Sequence, residues 1–443
     1  MPVTRYLAEH AWLGGPVGLA HDVLIEVTDG RIAAVSPATR HGEATALAGL
    51  TLPGLANAHS HAFHRALRGR THAGRGTFWT WRERMYAVAA ALDPDSYLSL
   101  ARATYAEMAL AGITCVGEFH YVHHDPQGRP YADPNAMGHA LIEAAAQAGV
   151  RLTLLDTVYL ASTVDGAKPE GVQRRFSDGD VDRWAARVAE LRPGPHARVG
   201  AAAHSVRAVP RPQLAALART NQATVHVHLS EQRAENEACL AAHGCTPTEL
   251  LDRAGLVGPW LTAVHATHLT DLDRTLLGDA GAGVCFCPTT ERDLADGIGP
   301  ARALVDAGCP LSVGSDSHAV IDLLEEARAV ELNARLRDER RGHFSADELL
   351  AAATAAGHHA LGWPDAGTIS PGARADLVTV RLDTVRTAGY DRNAPHAAAL
   401  YAATAADVTH VVVDGRVVVR DGRHQLVDDV PRALAAAIAT VTS

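Results

Sequence analysis

Histidines recur along this chain at spacings that suit metal chemistry. His59 and His61 stand two apart in "AHSH", and His226 and His228 stand two apart in "HVHLSE". Alternate side chains of a β-strand share a face, so each pair projects to one side. Two imidazoles on one face can grip one metal ion. His228 lies nearer its strand end, and Asp316 in "SVGSDSH" can close the set. Three neutral imidazoles and one carboxylate suit zinc, admit another divalent metal, and leave a position for water. Such bound water is acidic enough to ionise near neutral pH.

These residues need elements that bring them together. From Leu50 onward, eight β-rich runs alternate with longer Ala-, Leu-, Arg- and Glu-rich stretches. The runs are "LTLPGLANAHSH", "GITCVGEFHY", "VRLTLLDTVY", "RVGAAAHSVR", "TVHVHLSE", "WLTAVHATH", "GAGVCFCPTT" and "PLSVGSDSH". Strand–helix alternation predicts a parallel sheet, and eight units predict a distorted (β/α)8 barrel spanning residues 51–369. In such a barrel the chemistry sits at the C-terminal ends of the strands. Six runs carry polar groups there: His59 and His61; Glu118, His120 and Tyr121; His204 and Arg207; His228 and Glu231; His265 and His268; Asp316 and His318. A lone HxH is weak evidence, and this shared register is what gives it weight.

The two ends read differently. "DVLIEVTDGRIAAVSP", "ARADLVTVRL" and "VTHVVVDGRVVVRDGR" are strands, most of them joined by Asp-Gly turns. Residues 1–50 and 370–443 are expected to form one small composite β-sandwich domain beside the barrel. A helical pair around "SADELLAAATAAGHHALG" precedes the last strands, with Ser345 and Glu348 at capping-box spacing.

Composition narrows the class. A net charge of −10 offers no basic footprint for nucleic acid. No stretch reads as a signal peptide or membrane span, so no membrane partner is expected. Cys115, Cys239, Cys245, Cys285, Cys287 and Cys309 show no CxxC spacing and read as free thiols of a reducing cytoplasm. Lys168 is the single lysine and lies in a polar loop, "STVDGAKPEG".

At this point the residues resemble the amidohydrolase superfamily, over nearly the whole chain as far as "GTISPGARADLVTV". Binuclear members usually carry a carboxylated lysine on strand 4. Here that strand reads "VGAAAHSVR", so the resemblance implies one metal ion. "HLSE", with Glu231 three residues after His228, looks like the deaminase branch. The resemblance then implies that Glu231 shuttles protons to the leaving nitrogen, that Asp316 accepts the proton of the attacking water as well as binding metal, and that His265 orients the nucleophile and stabilises the tetrahedral intermediate. A homodimer is also implied.

"AFHRAL", "GTFWTWRERMY", "EFHYVHHD" and "HSVRAV" together look like the deiminases that hydrolyse N-formimino-L-glutamate to N-formyl-L-glutamate and ammonia in histidine degradation. That small-molecule substrate joins two carboxylates to an amidine. Arginine forks bind carboxylates bidentately, and Arg82 and Arg207 sit at suitable loops, with Tyr121 and His204 completing the anion pockets. His64 stands where this family commonly has glutamine. Phe78, Trp79 and Trp81 read as packing that braces the loop of Arg82. His226 reads as a buried neighbour, His268 as a loop residue, and Arg65, Arg68, Arg70 and His72 as surface or helix-packing groups.

Two other readings stand. A deaminase of the same branch acting on a nucleobase, nucleoside or guanidino acid would use the same metal machinery. The low aromatic content, 5%, argues against base stacking. The remote reading is a catalytically inactive metal-binding assembly protein, against which the complete set of acid–base groups argues.

Overall fold

The computed structural model describes residues 3–38, 44–72 and 78–442. Four strands open the chain: β1 (Thr4–Trp12), β2 (Leu19–Thr28), β3 (Arg31–Pro37) and β4 (Thr45–Pro53). Asp29 and Gly30 join β2 to β3 with φ of 52° and 75°. Two successive left-handed residues make the type I′ turn that matches the twist of a hairpin, as the Asp-Gly pair predicts.

Eight strands then form one parallel sheet in chain order: β5 (Leu55–Ser60), β6 (Ile113–His120), β7 (Arg151–Val158), β8 (Ala197–Ala203), β9 (Val225–Leu229), β10 (Leu261–His265), β11 (Gly283–Phe286) and β12 (Leu311–Val313). Helices between them cover the outside, and the strands are buried on almost every residue. The ring closes through the residues that carry the chemistry. Asp316 N donates to the His59 carbonyl at 3.0 Å, and His61 N donates to the Asp316 carbonyl at 3.2 Å. Gly314 permits this approach, because a Cβ there would lie 2.7 Å from His59 O and 2.8 Å from its Cβ. The first β-rich run proves to be two strands. Its "LTLP" half ends β4, and only the part after Gly54 enters the barrel.

The chain returns as β13 (Leu377–Val380), β14 (Val408–Val413), β15 (Arg416–Arg420) and β16 (Arg423–His424). Both ends merge in one mixed sheet of order β16-β15-β14-β13-β4-β1-β2-β3. Antiparallel pairing of β4 with β13, Leu50 opposite Val380, joins the two ends. Tyr6, Val23, Ile25, Leu47, Leu377 and Val412 build a small core of its own there.

A buried ion pair ties this sheet to the barrel. Arg151, at the start of β7, donates from Nη1 to Asp376 Oδ1 at 2.8 Å, with both side chains fully buried. Removing one partner of such a pair leaves a buried charge and costs about 3–5 kcal/mol. The helical segment before β13 begins at Ser345, whose hydroxyl accepts from Glu348 N while Glu348 caps Ser345 N in return.

Candidate metal centre

His59 lies near the end of β5, His61 directly follows that strand, His228 lies in β9, and Asp316 follows β12 by three residues. One donor atom from each lies within 4.8 Å of all the others, and all four residues are buried. His61 Nε2 and His59 Nε2 each lie 3.4 Å from Asp316 Oδ1. His228 Nε2 lies 3.1 Å from His59 Nε2. The Nδ1 atoms of His61 and His228 each face a backbone carbonyl, Phe119 O and His204 O, both at 2.9 Å. A carbonyl only accepts, so Nδ1 carries the proton in both rings and Nε2 turns its lone pair inward.

Burial pushes the His59 imidazole down to about 3 and lowers His61 and His228 as well, so the rings stay neutral as metal ligation requires. Burial alone would raise Asp316, but His59, His265 and His61 hold it below the ordinary carboxylate value. The result is a buried set of converging lone pairs beside one carboxylate, which fits one divalent cation.

His265 closes β10 and faces this centre. Its Nε2 lies 3.7 Å from Asp316 Oδ2 and 3.9 Å from Glu231 Oε1, and its Nδ1 lies 3.4 Å from Glu291 Oε1. Burial opposes its protonation, yet Glu231, Glu291 and Asp316 together raise it well above the ordinary histidine value. The backbone here is strained: His265 has φ of 68°, Ala266 48°, Asp316 42° and His318 61°. Left-handed non-glycine residues cost of order 1–3 kcal/mol each and persist where the surroundings over-determine them. In this protein they end the strands that carry the site.

A cavity of 640 Å³ opens over the centre. His61, His228, Asp316, Glu231, His265, His64, Arg82, Tyr121, His204 and Arg207 all line it, and fully buried His59 lies behind. The structure therefore brings every residue singled out for chemistry to one place. Arg82 Nε donates to Tyr86 OH at 2.7 Å, and its guanidinium lies 5.0 Å from that ring's centre. His64 Nε2 lies 3.0 Å from Tyr121 OH. Arg207 sits between two carboxylates, 3.6 Å from Glu231 Oε2 and 3.8 Å from Glu235 Oε2. A more open cleft of 780 Å³ lies on the other side of Trp81, but holds none of the four metal-site residues.

Three features escaped the sequence reading. Glu291 sits on the short helix Pro288–Asp293, where it accepts from Cys287 N at 2.8 Å and orients His265. Glu235 sits on the helix Arg233–His243, and burial pushes its carboxyl up to about 7 against the pull of Arg207. Neither falls at a strand end, where the register drew attention. The third is aromatic: Trp81, Tyr86, Tyr121, Tyr159 and Phe176 all line the cavity. Low overall content does not mean an aromatic-poor pocket, so the composition argument against base stacking fails. Trp81 packs edge-on against His64 at 5.3 Å, while the side chains of Phe78 and Trp79 lie outside the described residues.

The other histidines have structural partners. His226 Nε2 faces Ala360 O at 3.0 Å. His120, His123 and Asp156 cluster in the interior, but Arg187 donates to both Asp156 oxygens at 2.7 and 3.0 Å, which makes an ion-pair network rather than a metal site. His318 lies between Ser60 Oγ and Ser315 Oγ, behind the centre. Arg65 and Arg68 both pair with Glu107 at 2.6 Å.

Comparison with known proteins agrees with this geometry. The amidohydrolase family model matches residues 50–418. The formimidoylglutamate deiminase of Pseudomonas aeruginosa is 38% identical over 95% of this chain and 96% of its own. Among solved structures, an amidohydrolase from Brucella melitensis superposes with a TM-score of 0.89 at 32% identity, covering 99% of this chain and 100% of that one. An adenosine deaminase from Xanthomonas campestris with bound zinc gives 0.84 at 27% identity, covering 99% and 97%. With the model matched across barrel and ligands alike, this chain belongs to the amidohydrolase family, as a hydrolase of C–N bonds.

Proposed function

We propose that this enzyme hydrolyses N-formimino-L-glutamate to N-formyl-L-glutamate and ammonia, in the cytoplasm, as a step of histidine degradation. The observation that carries the reading is two guanidiniums, Arg82 and Arg207, on the same cavity as the four-residue metal centre. The likeness to the Pseudomonas aeruginosa deiminase over nearly its full length supports it.

His59, His61, His228 and Asp316 would hold one zinc ion, which when bound would supply the Lewis acidity that makes water nucleophilic. Asp316 takes the proton of the attacking water, and its position beside His265 lets the two groups share the developing charge. His265, placed by Glu291 and 3.7 Å from Asp316 Oδ2, stabilises the charge that builds on the tetrahedral carbon's substituents. Glu231 lies across the cavity edge from His265 and carries a proton to the leaving nitrogen. The C–N bond then breaks, ammonia leaves, and the formyl oxygen derives from water. Arg82 and Arg207 bind the two substrate carboxylates, and Tyr121, His204 and His64 complete the polar walls.

The aromatic lining favours a second reading, a nucleoside or nucleobase deaminase using the same centre. Incubating zinc-loaded protein with N-formimino-L-glutamate separates them. Equal amounts of ammonia and N-formyl-L-glutamate support the proposal, and release of ammonia from purines alone overturns it.

A further inference from the structure

We infer that Cys287, His265 and Asp316 form a second site, inhibitory in effect, for a soft divalent cation such as cadmium or excess zinc. The inference rests on the reading of the catalytic centre given above. Cys287 follows β11 directly, is fully buried, and has no part in the proposed chemistry. Its sulfur, a His265 nitrogen and an Asp316 oxygen all lie within 4.8 Å of one another. A tetrahedral ion with nitrogen or oxygen at about 2.0–2.1 Å and sulfur at about 2.3 Å sets its nitrogen and oxygen donors roughly 3.3–3.4 Å apart and the sulfur roughly 3.6 Å from each. His265 Nε2 and Asp316 Oδ2 stand 3.7 Å apart, so they close by a few tenths of an ångström while the thiol swings in.

Two details point to a cation here. Asp316 presents its oxygens to different partners: Oδ1 faces His59 and His61, and Oδ2 faces His265. The carboxylate is thus oriented to bridge two ions. Glu291 Oε1 faces His265 Nδ1 at 3.4 Å and is fixed by Cys287 N at 2.8 Å. Glu291 holds a proton on Nδ1, so loss of the Nε2 proton turns that lone pair toward a metal, the carboxylate–histidine–metal arrangement. One carboxylate therefore sets the position of both the imidazole and the thiol-bearing residue.

A thiolate selects soft cations over magnesium or manganese. On binding, the sulfur–metal and Nε2–metal bonds form, and the thiol proton and the His265 Nε2 proton pass to solvent, with no change of oxidation state. The bound ion occupies His265 Nε2 and Asp316 Oδ2, the groups that act on the nucleophile and the intermediate. Catalysis stops while the first ion stays in place.

The test uses protein carrying one zinc per chain and Cys239→Ser with Cys245→Ser, which removes the other thiol pair in contact. Cadmium chloride is titrated while bound zinc and cadmium, the ultraviolet thiolate-to-cadmium band and ammonia release are followed. The expected result is one cadmium per chain added to the zinc, a band, and loss of turnover in step. Cys287→Ser and Cys287→Ala, checked for folding by thermal unfolding, should keep turnover without cadmium and lose the band. Their half-inhibitory cadmium concentration should rise by at least the about tenfold that loss of an outer metal partner costs. Cys285→Ser should behave as its parent.

Cadmium that replaces zinc without a band, no added cadmium, or equal inhibition of the Cys287 variants overturns the inference. The band and the metal count need no substrate. Failure to turn over N-formimino-L-glutamate would therefore count against the proposed function alone.

Discussion

His61 turns a lone pair toward a carboxylate oxygen. Its Nδ1 proton is committed to Phe119 O at 2.9 Å, burial keeps the ring neutral, and Nε2 lies 3.4 Å from Asp316 Oδ1. Two acceptors facing each other at a buried site repel, and a cation between them turns repulsion into ligation. Replacing His228, the third ring of the set, should therefore empty the centre. His228→Ala is expected to lower bound metal from about one ion per chain to near zero and to abolish ammonia release. Chelation of the parent protein should do the same, with zinc restoring activity. Metal analysis showing full retention in the variant would remove His228 from the ligand set.

Glu231 separates catalysis from metal binding. It lies 3.9 Å from His265 Nε2 and lines the cavity, but belongs to no metal cluster among the described residues. Glu231→Gln should cut kcat by about 10²–10⁴-fold, the usual worth of a positioned acid–base group, with zinc content unchanged. Single-turnover kinetics with metal analysis of the same sample decides it.

Arg207 should act mainly on binding. A hydrogen bond to a charged group is worth about 1.5–3 kcal/mol, or roughly 10- to 150-fold. Arg207→Met should raise KM for N-formimino-L-glutamate by about that factor while leaving zinc in place. Because Arg207 also touches Glu231 and Glu235, kcat should fall less than KM rises. An unchanged KM would take Arg207 out of the pocket.

The pH dependence of stability follows from histidines buried away from the centre. Burial and the Arg151 charge hold His358 down at about 4, and burial with Arg187 does the same for His123. The unfolded chain protonates these rings near pH 6.5, so below that it binds more protons than the folded chain. Stability is complete above pH 6.5 and falls as pH drops toward about 4. Thermal midpoints measured across that window should fall steeply, and His358→Gln should flatten the slope. A flat profile in the parent would show that these rings are not buried neutral.

Much of this was legible in the chain because strand geometry is simple. Period-two alternation placed His59 with His61, and polar groups at the ends of six of the eight runs marked one rim of a barrel. Asp29-Gly30 announced its own turn. Glu235 and Glu291 could not be read the same way, since they lie on helices after the strands and reach the site only through the packing of those helices. The break at Gly54 was signalled by Pro53-Gly54, but strand-like residues resume directly on its far side and the two strands read as one. The aromatic walls were hidden for another reason: Trp81, Tyr121, Tyr159 and Phe176 come from four separate segments that only folding brings together.

The most direct test of the account compares kcat/KM for N-formimino-L-glutamate with that for adenosine on the zinc-loaded protein. Two arginine–carboxylate contacts, each worth about 1.5–3 kcal/mol, predict a preference for the formimino acid of at least about a hundredfold. Equal rates, or faster loss of ammonia from adenosine, would contradict it and assign the aromatic cavity to a base.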